Sequence, residues 1–138
     1  MLKVSLAAIL ETCREESLDK VLINSEERQK KLGEVFTPTE LVLEILLKLP
    51  IETWNDGKTF LDPTCGNGQF LSSILIIKML LGHVDPLKTI YGVDIMEDNV
   101  KVCRKRLLEI AGDNEENRKI IKKNIICKDG LTYDYSFS

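Results

Sequence analysis

An α/β fold with about three parallel strands and flanking helices is predicted for this 138-residue chain by three observations. A strand end, a glycine turn and a helix start fall within the eleven residues Phe60-Leu61-Asp62-Pro63-Thr64-Cys65-Gly66-Asn67-Gly68-Gln69-Phe70. Short β-rich runs alternate with longer helical ones. Three successive strand runs end on an acid, namely Asp62, Asp94 and Asp129. Open parallel sheets bind ligands outside the carboxyl ends of their strands, so acids far apart in sequence can line one crevice.

The elements follow in chain order. Met1 to Leu10 is apolar enough to raise a secretory leader, but Glu11, Arg14, Glu15 and Glu16 follow with no clear small-residue cleavage site. An amphipathic helix to about Leu32 is expected instead, giving a helical segment 1–32 ahead of a domain 33–138. Thr37-Pro38-Thr39-Glu40 combines a cap, a proline in the first turn and a capping-box glutamate, and so starts a helix. Behind the turn-rich Trp54-Asn55-Asp56-Gly57-Lys58, Thr59 to Leu61 reads as the first strand. Gly66 and Gly68 then let the backbone turn sharply and approach a ligand, while the amides opening the next helix attract an anionic group.

Phe70 to Leu81 is too long for one strand, stops at Gly82, and reads as a helix buried on most of its surface. It is far short of a membrane span. Thr89 to Ile95 is the second strand, Glu97-Asp98-Asn99 opens a helix through Ala111 with Gly112 as its stop, and Lys122 to Lys128 contains the third strand. Beyond it lie Asp129 and Gly130, and then Asp134, Tyr135 and Phe137 in a tail expected to fray or to run along a strand edge.

Asp94 lies twenty-six residues past Gly68, near the offset of a ribose-binding acid. A carboxylate there can accept hydrogen bonds from both ribose hydroxyls. A dinucleotide fingerprint would need a third small residue where Leu71 stands, and a phosphate loop would need Gly-Lys-Ser/Thr, so NAD, FAD and triphosphates are disfavoured. Cys13, Cys65, Cys103 and Cys127 have no Cys-x-x-Cys spacing and His83 is the only histidine, which argues against a zinc site and for reduced thiols in a cytoplasmic protein. The net charge of −3 does not advertise DNA binding. Two basic clusters stand out, Lys101, Arg104, Lys105 and Arg106 on one helix and Arg118, Lys119, Lys122, Lys123 and Lys128 around the third strand.

Over roughly residues 33 to 135 the chain resembles the S-adenosylmethionine-dependent adenine-N6 DNA methyltransferases of restriction-modification systems. Asp62 to Phe70, Asp-Pro-Thr-Cys-Gly-Asn-Gly-Gln-Phe, reproduces that family's first motif, and Gly33-Glu34-Val35-Phe36-Thr37-Pro38 looks like its upstream motif. The resemblance implies a partial Rossmann-like class I methyltransferase fold and an S-adenosylmethionine site. That site would draw on Phe36, Thr37, Pro38, Asp62, Pro63, Cys65, Gly66, Gly68, Phe70, Asp94, Ile95, Asp129 and Gly130, with Asp94 on the ribose and Asp129 on the adenine amino group.

The same resemblance implies a catalytic Asn/Asp-Pro-Pro-Tyr/Phe motif after a fourth strand. The prolines are Pro38, Pro50, Pro63 and Pro86, none adjacent to another, so no catalytic residue is assigned. In the related fold the first strand is central, so three strands leave one of its edges open unless the amino-terminal helix covers it. An open edge recruits partners. The expectation is a cofactor-binding portion completed by a second polypeptide or by self-association, with DNA as the substrate of the completed enzyme. The alternative is a stand-alone S-adenosylmethionine-binding or decoy protein without catalysis.

Overall fold

The computed structural model describes residues 39–137, and the upstream Phe36, Thr37, Pro38 and the segment 1–32 lie outside them. Three parallel strands, β1 (Phe60–Asp62), β2 (Ile90–Asp94) and β3 (Ile125–Cys127), form one sheet in the order β1-β2-β3. Among the described residues four α-helices accompany them: α1 (Thr39–Leu47), α2 (Gln69–Leu80), α3 (Glu97–Ala111) and α4 (Glu115–Asn124). The bounds of α3 match the sequence reading, and β1 lies one residue later than expected. The helix α4 was not foreseen. Its ten residues hold only two large aliphatic side chains, Ile120 and Ile121, among six charges, so no apolar stripe announces it. Asn114 nevertheless caps it, its side chain accepting from Asn117 N at 2.8 Å.

Side chains directly opposite in parallel register share a face. Phe60 pairs with Ile90, Asp62 with Gly92 and Gly92 with Ile125, so these residues mark the face on which α2 lies. The approach is close at Gly92, where a Cβ would stand 2.6 Å from Leu71 Cδ1 and 3.1 Å from Cys65 Sγ. Leu71, Leu75 and Ile77 of α2 are fully buried there and pack with Ile90, Val100, Cys103, Leu107 and Ile125 into one core. On α1, Val42, Leu43 and Leu46 extend that core past Trp54, whose ring lies 5.2 Å from that of Phe60.

Leu61 pairs with Tyr91 and Val93 with Ile126 on the opposite face. The tail is docked there rather than frayed. Phe137 stacks 4.8 Å from Tyr91, Tyr133 lies 5.3 Å from Tyr135, and Phe137 N donates to Tyr133 Oη at 2.8 Å. Mutual packing of rings offsets the loss of chain freedom that would otherwise loosen a terminus. Among the described residues no strand pairs with the outer edge of β1, and an apolar groove of about 270 Å³ runs beside it, lined by Ile45, Leu49, Phe60, Leu61, Phe70 and Ile74. No helix among the described residues is long and apolar enough to cross a membrane.

Lys78 is the unexpected member of the interior, with no exposed surface. Its Nζ donates to the Lys58 carbonyl and, at 2.6 Å, to Thr89 Oγ1, and it sits 4.7 Å from the centre of the Phe60 ring. One cation thereby ties the entrances of β1 and β2 to the end of α2. Burial pulls its pKa down to about 8, against a smaller opposing pull from Asp56. A depressed pKa means that between about pH 8 and the unfolded value the folded chain holds fewer protons than the unfolded one. Stability from this group is therefore fully present above the unfolded pKa and is lost as pH falls through about 8. Denaturant titration should show the wild type gaining roughly 1 to 3 kcal/mol relative to Lys78→Met between pH 8 and 10.5. A difference independent of pH would contradict the assignment.

Candidate functional site

The carboxyl end of the sheet is held together by the side chain of Asp94. Its Oδ2 accepts from Gly66 N at 2.9 Å, across twenty-eight residues, and its Oδ1 accepts from Met96 N at 2.8 Å and from Asn99 Nδ2 at 3.4 Å. Cys65 N donates to Val93 O at 2.8 Å beside it. The glycine turn is thus fastened to the end of β2 by backbone and carboxylate together.

Gly68 lies at φ 88°, the left-handed region that a side chain disfavours, and a Cβ there would stand 2.7 Å from Cys103 Sγ. The turn consequently presses on α3 as α2 begins. No side chain caps α2, so its first amides and dipole face the end of the sheet, an arrangement suited to an anionic group.

Asp62 is the last residue of β1 and accepts from Thr64 N at 3.1 Å. Burial raises its pKa, opposed by the Thr64 amide and reinforced by the nearby negative charge of Asp94. Asp129 is exposed after β3, its Oδ1 accepting from Leu131 N at 3.0 Å. The loop carrying it reaches back across the sheet, since a Cβ on Gly130 would meet the Pro63 carbonyl at 2.7 Å, and Lys128 N donates to Asp94 O at 3.0 Å. The three strand-end acids and both flanking loops therefore meet at one end of the sheet. Ile95 is 67 % exposed and Leu131 96 % exposed at the same end.

One predicted site residue turns its side chain inward. The Cys65 side chain is buried behind the turn, where contact with Cys103 and then burial push its thiol pKa up, so only its backbone can face a ligand. Phe70 lines the groove beside β1 together with Asp62 at the end of that strand. The first basic cluster also dissolves as a surface. Arg104 turns inward, Nε donating to Ile125 O at 2.8 Å, and both terminal nitrogens of Arg106 are buried. In the second cluster Arg118 pairs with Asp113 at 2.6 Å and Lys119 with Glu115 at 3.6 Å.

The residues that sequence reasoning passed over are Asn67, Gln69 and Asn99. All three are buried, yet Asn67 Nδ2, Gln69 Nε2 and Asn99 Oδ1 have no hydrogen-bond partner. Such orphans are rare in interiors and cluster where function demands them. Only their placement beside Gly66, Gly68 and Asp94 in sequence could have signalled them.

A parallel sheet with a glycine turn at the first strand end and acids at all three defines the Rossmann-like methyltransferase class of α/β fold. The family model described as N-6 DNA Methylase matches residues 19–137, and the chain belongs to that family. It is 36 % identical over 93 residues to the Type II methyltransferase M.VspI of Vibrio sp. (strain 343), an alignment covering 67 % of this chain and 21 % of that protein. The chain thus spans about a fifth of the length of that relative. No solved structure matches the chain.

Replacing Gly68 by alanine combines an unfavourable φ with a collision against α3, and should destabilise the chain by about 2 to 4 kcal/mol in thermal or denaturant unfolding. Adding Cys103→Ala should recover the part due to the sulfur and leave the part due to φ and to the tight approach of the residue 103 Cβ and Cα at 3.2 and 3.3 Å. Full stability in Gly68→Ala alone would contradict the contact.

Proposed function

We propose that this chain is the S-adenosylmethionine-binding portion of an adenine-N6 DNA methyltransferase, and that transfer to DNA needs further polypeptide bearing the base-accepting groups. The observation that carries the reading is the convergence of Asp62, Asp94, Asp129 and the glycine turn at one sheet end, in a chain of this family. The donor set fits the cofactor. A half-buried carboxylate with one acceptor position left faces the ribose at Asp94, an exposed one is available for an exocyclic amine at Asp129, and an uncapped helix end for a carboxylate.

S-adenosylmethionine, when bound, supplies an electrophilic methyl group on a sulfonium. The work of this chain is to hold and orient it. The turn from Asp62 to Gly68 receives the methionine end, with the Asp62 carboxylate toward its ammonium group. Asp94 takes the ribose, Asp129 the adenine amine, and the exposed Ile95 and Leu131 offer apolar surface to the purine ring. Phe36, Thr37 and Pro38 belong to this proposal through the family motif, and the domain division at residues 32 and 33 goes with it. Orientation of this kind lowers the barrier by fixing reactants rather than by acid–base chemistry.

Calorimetry of the purified chain with S-adenosylmethionine should show saturable binding, weakened about tenfold or more by Asp94→Asn, whose single carbonyl oxygen can accept from Gly66 N or Met96 N but not both, so the variant's unfolding curve is measured beside its binding. No binding by a folded wild-type chain would defeat the reading.

The outer edge of β1 and its apolar groove are proposed as the surface where further polypeptide joins, either a second copy or the segment that completes the fold. Sedimentation should show the chain self-associating as concentration rises, with Leu61→Lys reducing the effect. A wild-type monomer at all concentrations would count against self-association, and binding of the completing segment would then be measured directly.

A further inference from the structure

The hydrogen bonds of Asp94 leave too few acceptor positions for two ribose hydroxyls. A carboxylate offers about four lone-pair directions. Gly66 N takes one on Oδ2, and Met96 N and Asn99 Nδ2 take both on Oδ1. One is left. Of the three protein donors, Asn99 is the furthest at 3.4 Å, beyond the usual range for an N–H···O bond, whereas the two backbone amides lie at 2.8 and 2.9 Å. A second hydroxyl can be accepted only by displacing Asn99.

Two buried, unmet atoms on the turn and on α3 are complementary. Asn99 is 4 % exposed and its Oδ1 has no partner, while Asn67, 2 % exposed on the glycine turn, has an Nδ2 with no partner. Asn99 lies one helical turn before Cys103, on the same side of α3, and Cys103 is the residue against which Gly68 presses. The unpaired acceptor on α3 and the unpaired donor on the turn thus belong to the two surfaces that Gly68 and Cys103 bring together.

We propose that Asn99 is a positioning residue that holds one acceptor position of Asp94 until a ribose hydroxyl takes it, and that its carboxamide then turns to accept from Asn67 Nδ2. The inference rests on the reading of Asp94 as the ribose acid. Ligand binding would exchange a long hydrogen bond for two better ones, one to the ligand and one within the protein. It would also fasten the glycine turn to α3 as the nucleoside arrives. The exchange requires both hydroxyls, so it gives the site a means to distinguish ribose from 2′-deoxyribose, with the energetic benefit of the Asn67–Asn99 bond available only to the ribonucleoside.

The test is nitrogen-15 NMR of the whole chain, following the side-chain amide signals of Asn67 and Asn99 during titration with S-adenosylhomocysteine and with its 2′-deoxy counterpart. The ribose ligand should shift both pairs of signals at saturation, and the deoxy ligand should bind more weakly and leave the Asn99 pair at its starting position. If S-adenosylhomocysteine shifts the Gly66 and Ile95 backbone amides while both side-chain pairs stay still, the exchange is wrong and the cofactor site stands. Equal side-chain shifts with the two ligands would also overturn it. Absence of shifts anywhere would remove the cofactor reading and this inference together.

Discussion

The hydrogen bond from the Gly66 amide to the Asp94 carboxylate is the constraint on which the carboxyl end of the sheet depends. It joins the turn after β1 to the end of β2 across twenty-eight residues, and Met96 N on the other oxygen carries the same carboxylate into the start of α3. A charged acceptor bonded to backbone amides is worth more than a neutral one, and in a half-buried setting neither amide has an equivalent substitute. The position of Gly68 against Cys103, and hence the start of α2, follows from that attachment. The group proposed to recognise the ribose therefore also builds the crevice that would receive it.

The two ends of the sheet are organised differently. At the amino end, Lys78 satisfies the Lys58 carbonyl and Thr89 hydroxyl and lies against the Phe60 ring, so the entrances of β1 and β2 are closed around a saturated polar group. At the carboxyl end the polar inventory is incomplete, with Asn67, Gln69 and Asn99 each keeping an unmet atom in a buried side chain. Each such atom costs about 1 to 3 kcal/mol relative to a satisfied one. Trp54 Nε1 and His83 Nδ1 are unmet toward the amino end as well, but among the described residues only beside the glycine turn do three carboxamide side chains with unmet atoms gather in neighbouring elements.

Much of this was legible in the sequence because backbone demands are local. Gly66 and Gly68 announce a turn, the run from Phe70 to Leu81 is apolar over most of its surface, and Asp94 ends a β-rich run at a telling distance from the turn. What could not be read depends on neighbours remote in the chain. The lysine within an aliphatic helix becomes an interior tie only because Lys58 and Thr89 meet it. Arg104 and Arg106 look like part of a basic face until Ile125 and the interior of the fold claim them. The α4 helix was hidden because its cap and two isoleucines sit among charges, and the docked tail because Tyr91, forty-six residues away, supplies the surface for Phe137. Cys65 fell within a recognisable motif, but motif membership does not say whether a residue offers its backbone or its side chain.

The central claim is that the glycine turn, the end of β2 and the loop after β3 act as one nucleoside-binding unit. Hydrogen exchange of the intact chain with and without S-adenosylhomocysteine tests it most directly. The account predicts added protection concentrated in residues 62–70, 94–99 and 129–131, and little change around Lys78 and Thr89. Protection confined to one of these three segments, or appearing instead at the amino end of the sheet, would contradict it.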